Sequence, residues 1–166
     1  KISVKSQIFS EETNEVNSIV KLYVNKCLRD TAEPYLQVVG LQGGYLDLST
    51  QETLFTSNDS IAYSLYGDER LLDKDKIEQQ ISDYVQKHFL VCIDEFKALS
   101  EQKIYVTHDE SELETTINDY QVLLQLDFPL EIKTLDGEKT HLFVFEESIP
   151  IKIGLMLSLI DQTLDR

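Results

Sequence analysis

From Ser10 to Val39 the apolar residues Val16, Ile19, Val20, Tyr23, Val24, Cys27, Leu28, Tyr35 and Leu36 recur at steps of three and four. That spacing follows the 3.6-residue helical period and predicts one long helix with a single apolar face. Ser10, with Glu11 and Glu12 behind it, suits the N-terminus, because a side-chain acceptor caps free amides and early acids favour the positive end of the helix dipole. Pro34 should kink or interrupt the helix, since its ring removes a donor and clashes with the carbonyl four residues back. A second stripe, containing Ile77, Ile81, Tyr84, Val85, His88, Phe89, Cys92, Ile93 and Phe96, predicts a helix from a cap near Asp73 to about Leu99.

After the second helix the period changes to two. In "YQVLLQLDF", Tyr120, Val122, Leu124, Leu126 and Phe128 fall on one side, with Gln121, Gln125 and Asp127 on the other. Asp136-Gly137 reads as a two-residue hairpin turn between "LEIKT" and "KTHLFVF", and Asn118-Asp119 as a reversal between "LETTI" and "YQVLL". Pro129 should mark a bulge, a bend or an edge, because it cannot donate to a ladder. Ile153, Leu157, Ile160 and Leu164 follow Pro150 at helical spacing and predict a C-terminal helix. The order helix, short strand, helix, meander, helix argues for an α+β class. Residues 1–166 are read as a single domain, with long helices packed on one face of an antiparallel β-meander.

Three glycines, Gly40, Gly43 and Gly44, punctuate "LQVVGLQGGYLDL". Loops that cradle phosphate follow a strand and open a helix, so that free amides face the anion. Here the glycines follow a helix, where positive φ closes a last turn, and "YLDL" after them alternates like a short strand. Residues 49–72 are polar and irregular and read as a surface excursion. It carries the aromatic pair Tyr63 and Tyr66, a possible contact surface, and Asn58, the asparagine of an N-x-S glycosylation triplet.

Thirty acidic against fifteen basic residues give a formal charge of -15, which disfavours nucleic acid and anionic lipid surfaces. The longest apolar window, "IPIKIGLMLSLIDQ", carries Lys152 and Asp161 and falls short of the roughly 18 to 20 residues of a membrane span. The chain opens on Lys1 rather than Met and closes within an apolar-periodic stretch, so both termini are read as truncated. No nucleophile elbow, H-E-x-x-H helix, nucleotide fingerprint or calcium loop occurs, so no catalytic residue and no cofactor is assigned.

Cys27 and Cys92 are the only cysteines, and each lies mid-stripe on a long predicted helix. If those stripes pack together the thiols can meet as a disulfide; the alternative is two buried free thiols acting as small hydrophobes. A zinc site built from His88, Cys92 and Cys27 lacks a fourth ligand.

The runs "LYVNKCLRDTAEPYLQVVGLQGGYLDL", "IAYSLYG", "IEQQISDYVQKHFLVCIDEF" and "LDFPLEIKTLDGEKTHLFVFEESIPIKIG" together resemble the ectodomain of a family of uncharacterised archaeal membrane-anchored proteins. Members of that family begin with a class III, type IV pilin-like signal segment. The likeness spans nearly the whole chain and departs from the family at Pro34 and in the aromatic cluster of "IAYSLYG". It implies an extracytoplasmic domain on an N-terminal anchor, and with it a Cys27–Cys92 bridge, since exported chains live in oxidising surroundings. The expectation is a non-enzymatic ectodomain at the extracellular face of the membrane, with a structural, adhesive or protein-interaction role. Its partners would be other surface proteins or copies of itself, with no nucleic acid, and it would touch the membrane only through the anchor. The alternatives are a cell-envelope hydrolase using paired carboxylates and a small-molecule or metal-binding sensor domain.

Overall fold

The computed structural model describes residues 4–46, 53–55, 60–62 and 74–164, with side chains of the first helix described from Asn14 onward. The elements are α1 (Val4–Leu41), β1 (Thr53–Phe55), β2 (Ser60–Ala62), α2 (Lys74–Ile93), α3 (Lys97–Ser100), β3 (Tyr105–His108), β4 (Glu112–Ile117), β5 (Val122–Lys133), β6 (Lys139–Ile149) and α4 (Ile153–Leu164). They form the α+β arrangement that the periodicities predict: helices packed on one face of a four-stranded antiparallel sheet, with a C-terminal helix.

The centre of the sheet is β5. On one side it pairs with β6 along its whole length; on the other, β4 takes its first half and β3 its second. The sheet is therefore three strands wide. Its inner face presents Val122, Leu124, Leu126, Phe128, Leu130 and Ile132, all buried. They meet Val20, Val24, Leu28 and Leu36 of α1 and Ile77, Ile81, Val85 and Phe89 of α2 in one core. Pro129 marks a bulge, as its missing donor requires: between Asp127 and Leu130 of β5, the register on β6 advances only from Val144 to Leu142. The same point is where β4 pairing gives way to β3.

Side chains of the helices also bond parts of the sheet's edges, along β6 and at β4. From α1, Asn25 donates to the Glu146 carbonyl (2.9 Å) and Arg29 to the Ser148 carbonyl (3.4 Å) of edge strand β6. From α2, Gln86 donates to the Ser111 carbonyl beside β4 (2.6 Å), and the Glu78 carboxylate accepts from the Ile117 amide (2.6 Å). Side chains thus occupy backbone groups that would otherwise invite another strand.

Several expectations need correction. α1 begins at Val4, so Ser10 lies inside the helix rather than at its cap, and the helix continues through Pro34 to Leu41. Pro34 and Asp30, whose carbonyl loses its helical donor, are both solvent-exposed, and the buried Tyr35, Leu36 and Val39 hold the last turns to the core. The glycines do close the helix: Gly43 and Gly44 take φ of 74° and 96°, and the Gly44 amide bonds the Val39 carbonyl. Tyr45 and Leu46, the start of "YLDL", are not in a strand. The short β1–β2 hairpin falls within the stretch read as irregular. The β5–β6 connection spans five residues, 134–138, rather than two, because the ladder stops at Lys133 and Lys139. β3 had no periodic signal.

Candidate functional site

Cys27 and Cys92 form a disulfide, with their Cα atoms 5.6 Å apart. The separation is within the range an unstrained bridge spans. It follows from the two stripes: with one face each, α1 and α2 can hide both only by lying side by side on the sheet. Because both sulfurs are committed to this bond, the zinc arrangement with His88 has no thiolate to offer an ion.

Around the bridge, aromatic side chains fasten the two helices. The Tyr23 hydroxyl lies 3.2 Å from the Ile93 carbonyl and 3.4 Å from that of Cys92, donating to the end of α2, where carbonyls lack helical partners. Tyr35 stacks on Tyr84 with ring centroids 3.5 Å apart, and Tyr84 contacts the His88 ring at 4.1 Å. Burial first, then Tyr84 and Asp83, push the Tyr35 phenol well above its ordinary pKa, so it stays neutral.

Directly after Ile93 the chain does something its sequence does not announce. Asp94, Glu95 and Phe96 all have positive φ (42°, 53° and 56°), forming a left-handed turn between α2 and α3. None is glycine, and each bears a Cβ that crowds the backbone in this region. The turn delivers Phe96 into the core, 6.2 Å from the Phe128 ring and 6.0 Å from that of Tyr23, so burial of a large aromatic offsets the backbone cost.

The face of the sheet turned away from the helices is open to solvent. Across its first half run Glu112–Asp127–Val144 and Glu114–Gln125–Glu146. Across its second half run Tyr105–Lys133–Lys139 and Thr107–Glu131–His141. Lys139 donates to Glu131 at 2.8 Å, and His141 lies 3.6 Å from the same carboxylate. The Lys139 hydrogen bond, with the positive charge of Lys139 behind it, holds the Glu131 carboxyl below its usual pKa against the opposing effect of desolvation. Between the halves, Phe143 and Val144 are both exposed, at 56% and 47%.

A groove where α2 meets the β4 edge is lined by Glu78, Asp83, Glu112, Glu114 and Asp127, with Ser82 donating to Thr115 at 2.8 Å. Glu78 is occupied there by the Ile117 amide and by Lys74, 3.5 Å away. Glu78 thus serves the sheet edge.

The expected contact residues Tyr63 and Tyr66 and the glycosylation asparagine Asn58 lie outside the described residues. Sequence reasoning missed the open face, although one signal was present: Phe143 and Val144 break the alternation of β6 opposite Pro129. Among the described residues no helix is long and apolar enough to cross a membrane. Fold and bridge together define the class, a disulfide-pinned α+β domain. No family model matches the chain, and no curated protein or solved structure matches it either.

Proposed function

We propose that this chain is a non-enzymatic ectodomain, displayed at the outer face of a cell membrane by an N-terminal anchor and serving a structural, adhesive or protein-interaction role. The observation that carries the reading is the Cys27–Cys92 disulfide, which ties the two main helices of an acidic domain together. Such bridges persist in oxidising, extracytoplasmic compartments and are reduced in the cytosol. The family likeness supports the anchor, and the wide, uncapped sheet face supports contact with other proteins over binding of a small molecule in an enclosed pocket. Tyr63 and Tyr66 add a second contact region, since tyrosines give large contact area at low entropic cost.

The test is an intact-mass measurement of protein taken from its native host and alkylated with and without reductant, paired with membrane-impermeant labelling of whole cells. The expected result is no alkylation of Cys27 or Cys92 without reductant, and labelling of surface lysines on unbroken cells. Free thiols in freshly isolated material, or labelling only after lysis, would overturn the reading. Unchanged partner recovery after replacing both Tyr63 and Tyr66 would discard that contact region.

A further inference from the structure

The open face of the sheet is electrically polarised along its strands. Its first half carries Glu112, Glu114, Asp127 and Glu146, all exposed and with no lysine or arginine among their cross-strand partners. Its second half carries Lys133 and Lys139 against the single carboxylate Glu131, which pairs with Lys139 and has His141 beside it, so this end has an excess of one lysine over its acids. In a chain of net charge -15 such a cationic end is unusual. Between the two ends lie Pro129, Phe143 and Val144. The bulge turns the last two, adjacent in sequence, to solvent together, breaking the strand's alternation.

We infer that this face binds a second copy of the same chain, face to face, about a two-fold axis that crosses the strands at Phe143. A two-fold rotation in that direction reverses the strands of one copy, so the acidic end of each sheet lies over the cationic end of the other. The apolar band meets itself at the axis. A surface with opposite charges at its ends and an apolar centre is self-complementary under this operation, which is the requirement for an isologous dimer. No charge complementarity would result from stacking the two sheets in parallel.

The size of the face sets the strength. Three strands at about 4.8 Å spacing and 12 residues of β5 at about 3.3 Å give roughly 570 Å² per copy, or roughly 1,100 Å² in a pair. That just clears the ~1,000 Å² of a specific interface and belongs to a weak, reversible one. Net repulsion between two acidic chains works in the same direction. At about 0.1 M salt it is screened beyond ~10 Å while contacting pairs persist. The inference deepens the protein-interaction reading by naming a surface and a partner. Its failure leaves the disulfide and labelling results untouched, so the two can fail separately.

The experiment is sedimentation velocity of the disulfide-bonded chain from roughly 1 to 200 μM at about 0.1 M salt, a range in which a weak dimer forms by mass action. The wild type is expected to shift from monomer to dimer. Lys133→Glu with Lys139→Glu should weaken the dimer by about tenfold or more, and adding Glu114→Lys with Asp127→Lys should restore it by reversing both ends. Phe143→Ser, which leaves every charge in place, should weaken it as well and decides the matter if the charge variants do not fold. A wild type that stays monomeric throughout, or a dimer indifferent to these substitutions, overturns the proposal.

Discussion

Gly154, in the first turn of α4, lies against the backbone of Asn118: a Cβ built on it would stand 2.5 Å from the Asn118 carbonyl oxygen. The helix is seated on the β4–β5 turn by this approach and by the Leu155 amide, which donates to the Asp119 carbonyl at 3.2 Å. In an ordinary helix interior, Gly→Ala stabilises by roughly 0.5–1 kcal/mol. Here the backbone oxygen has nowhere to go, so Gly154→Ala should destabilise by about 1–3 kcal/mol. Gly40, near the end of α1, has nothing within 4 Å of its built Cβ, and Gly40→Ala should be neutral or mildly stabilising. Urea denaturation of the two variants against wild type checks both, and the opposite signs are the diagnostic.

The disulfide joins residues 65 apart in sequence. In the chain-entropy account, removing a cross-link of that span costs about 4 kcal/mol through the unfolded state. The Cys27→Ala/Cys92→Ala double variant should therefore lose stability of that order, read from urea denaturation with a steeper slope, because the unlinked unfolded chain exposes more surface. A loss below about 1 kcal/mol would mean that the unfolded chain is already compact enough for the cross-link to remove little of its freedom.

Relief of backbone crowding at the left-handed turn gives a third test. Glu95 is exposed and has φ of 53°. Glu95→Gly should leave the fold intact and stabilise it by about 1 kcal/mol, against the usual cost of adding glycine. Phe96→Ala should destabilise by about 3–5 kcal/mol, because the side chain that anchors the turn is fully buried. Thermal unfolding of both variants makes the comparison.

Glu131 supplies a pH dependence of known sign. Its hydrogen bond from Lys139 holds the folded-state pKa below the ordinary carboxylate value. The resulting contribution to stability is present above the unfolded value of about 4.3 and is lost as pH falls through the folded pKa. Lys139→Met should move the Glu131 titration upward toward that ordinary value, followed by carboxyl-carbon NMR. Since the pair is exposed, the accompanying change in stability should be small.

Much of the architecture could be read locally, because it rests on short-range periodicity. The stripes around Cys27 and Cys92 placed both cysteines on helix faces that had to be buried, and Pro129 marked the bulge because a residue without an N–H interrupts any ladder. Alternation assigned the inner face of β5. The break at Asp94 was not readable: every residue from Asp94 to Ser100 is compatible with helix, and the stripe through Phe96 and Leu99 runs on without interruption. Pro34 misled for the complementary reason, since its local penalty is met at an exposed position by solvent and by the buried residues on either side.

The amino-acid sequence by itself determined which faces of the helices and strands had to be hidden, where the chain turns, and that two sulfurs could meet. Each of these depends on residues within a turn or two of one another. The tertiary structure alone decided that α2 ends in a left-handed turn, that β3 and β4 share one side of β5, and that acids and lysines separate to opposite ends of the open face. Those outcomes depend on which strand lies beside which and in what register. That is settled by packing the whole core at once, and no local pattern records it.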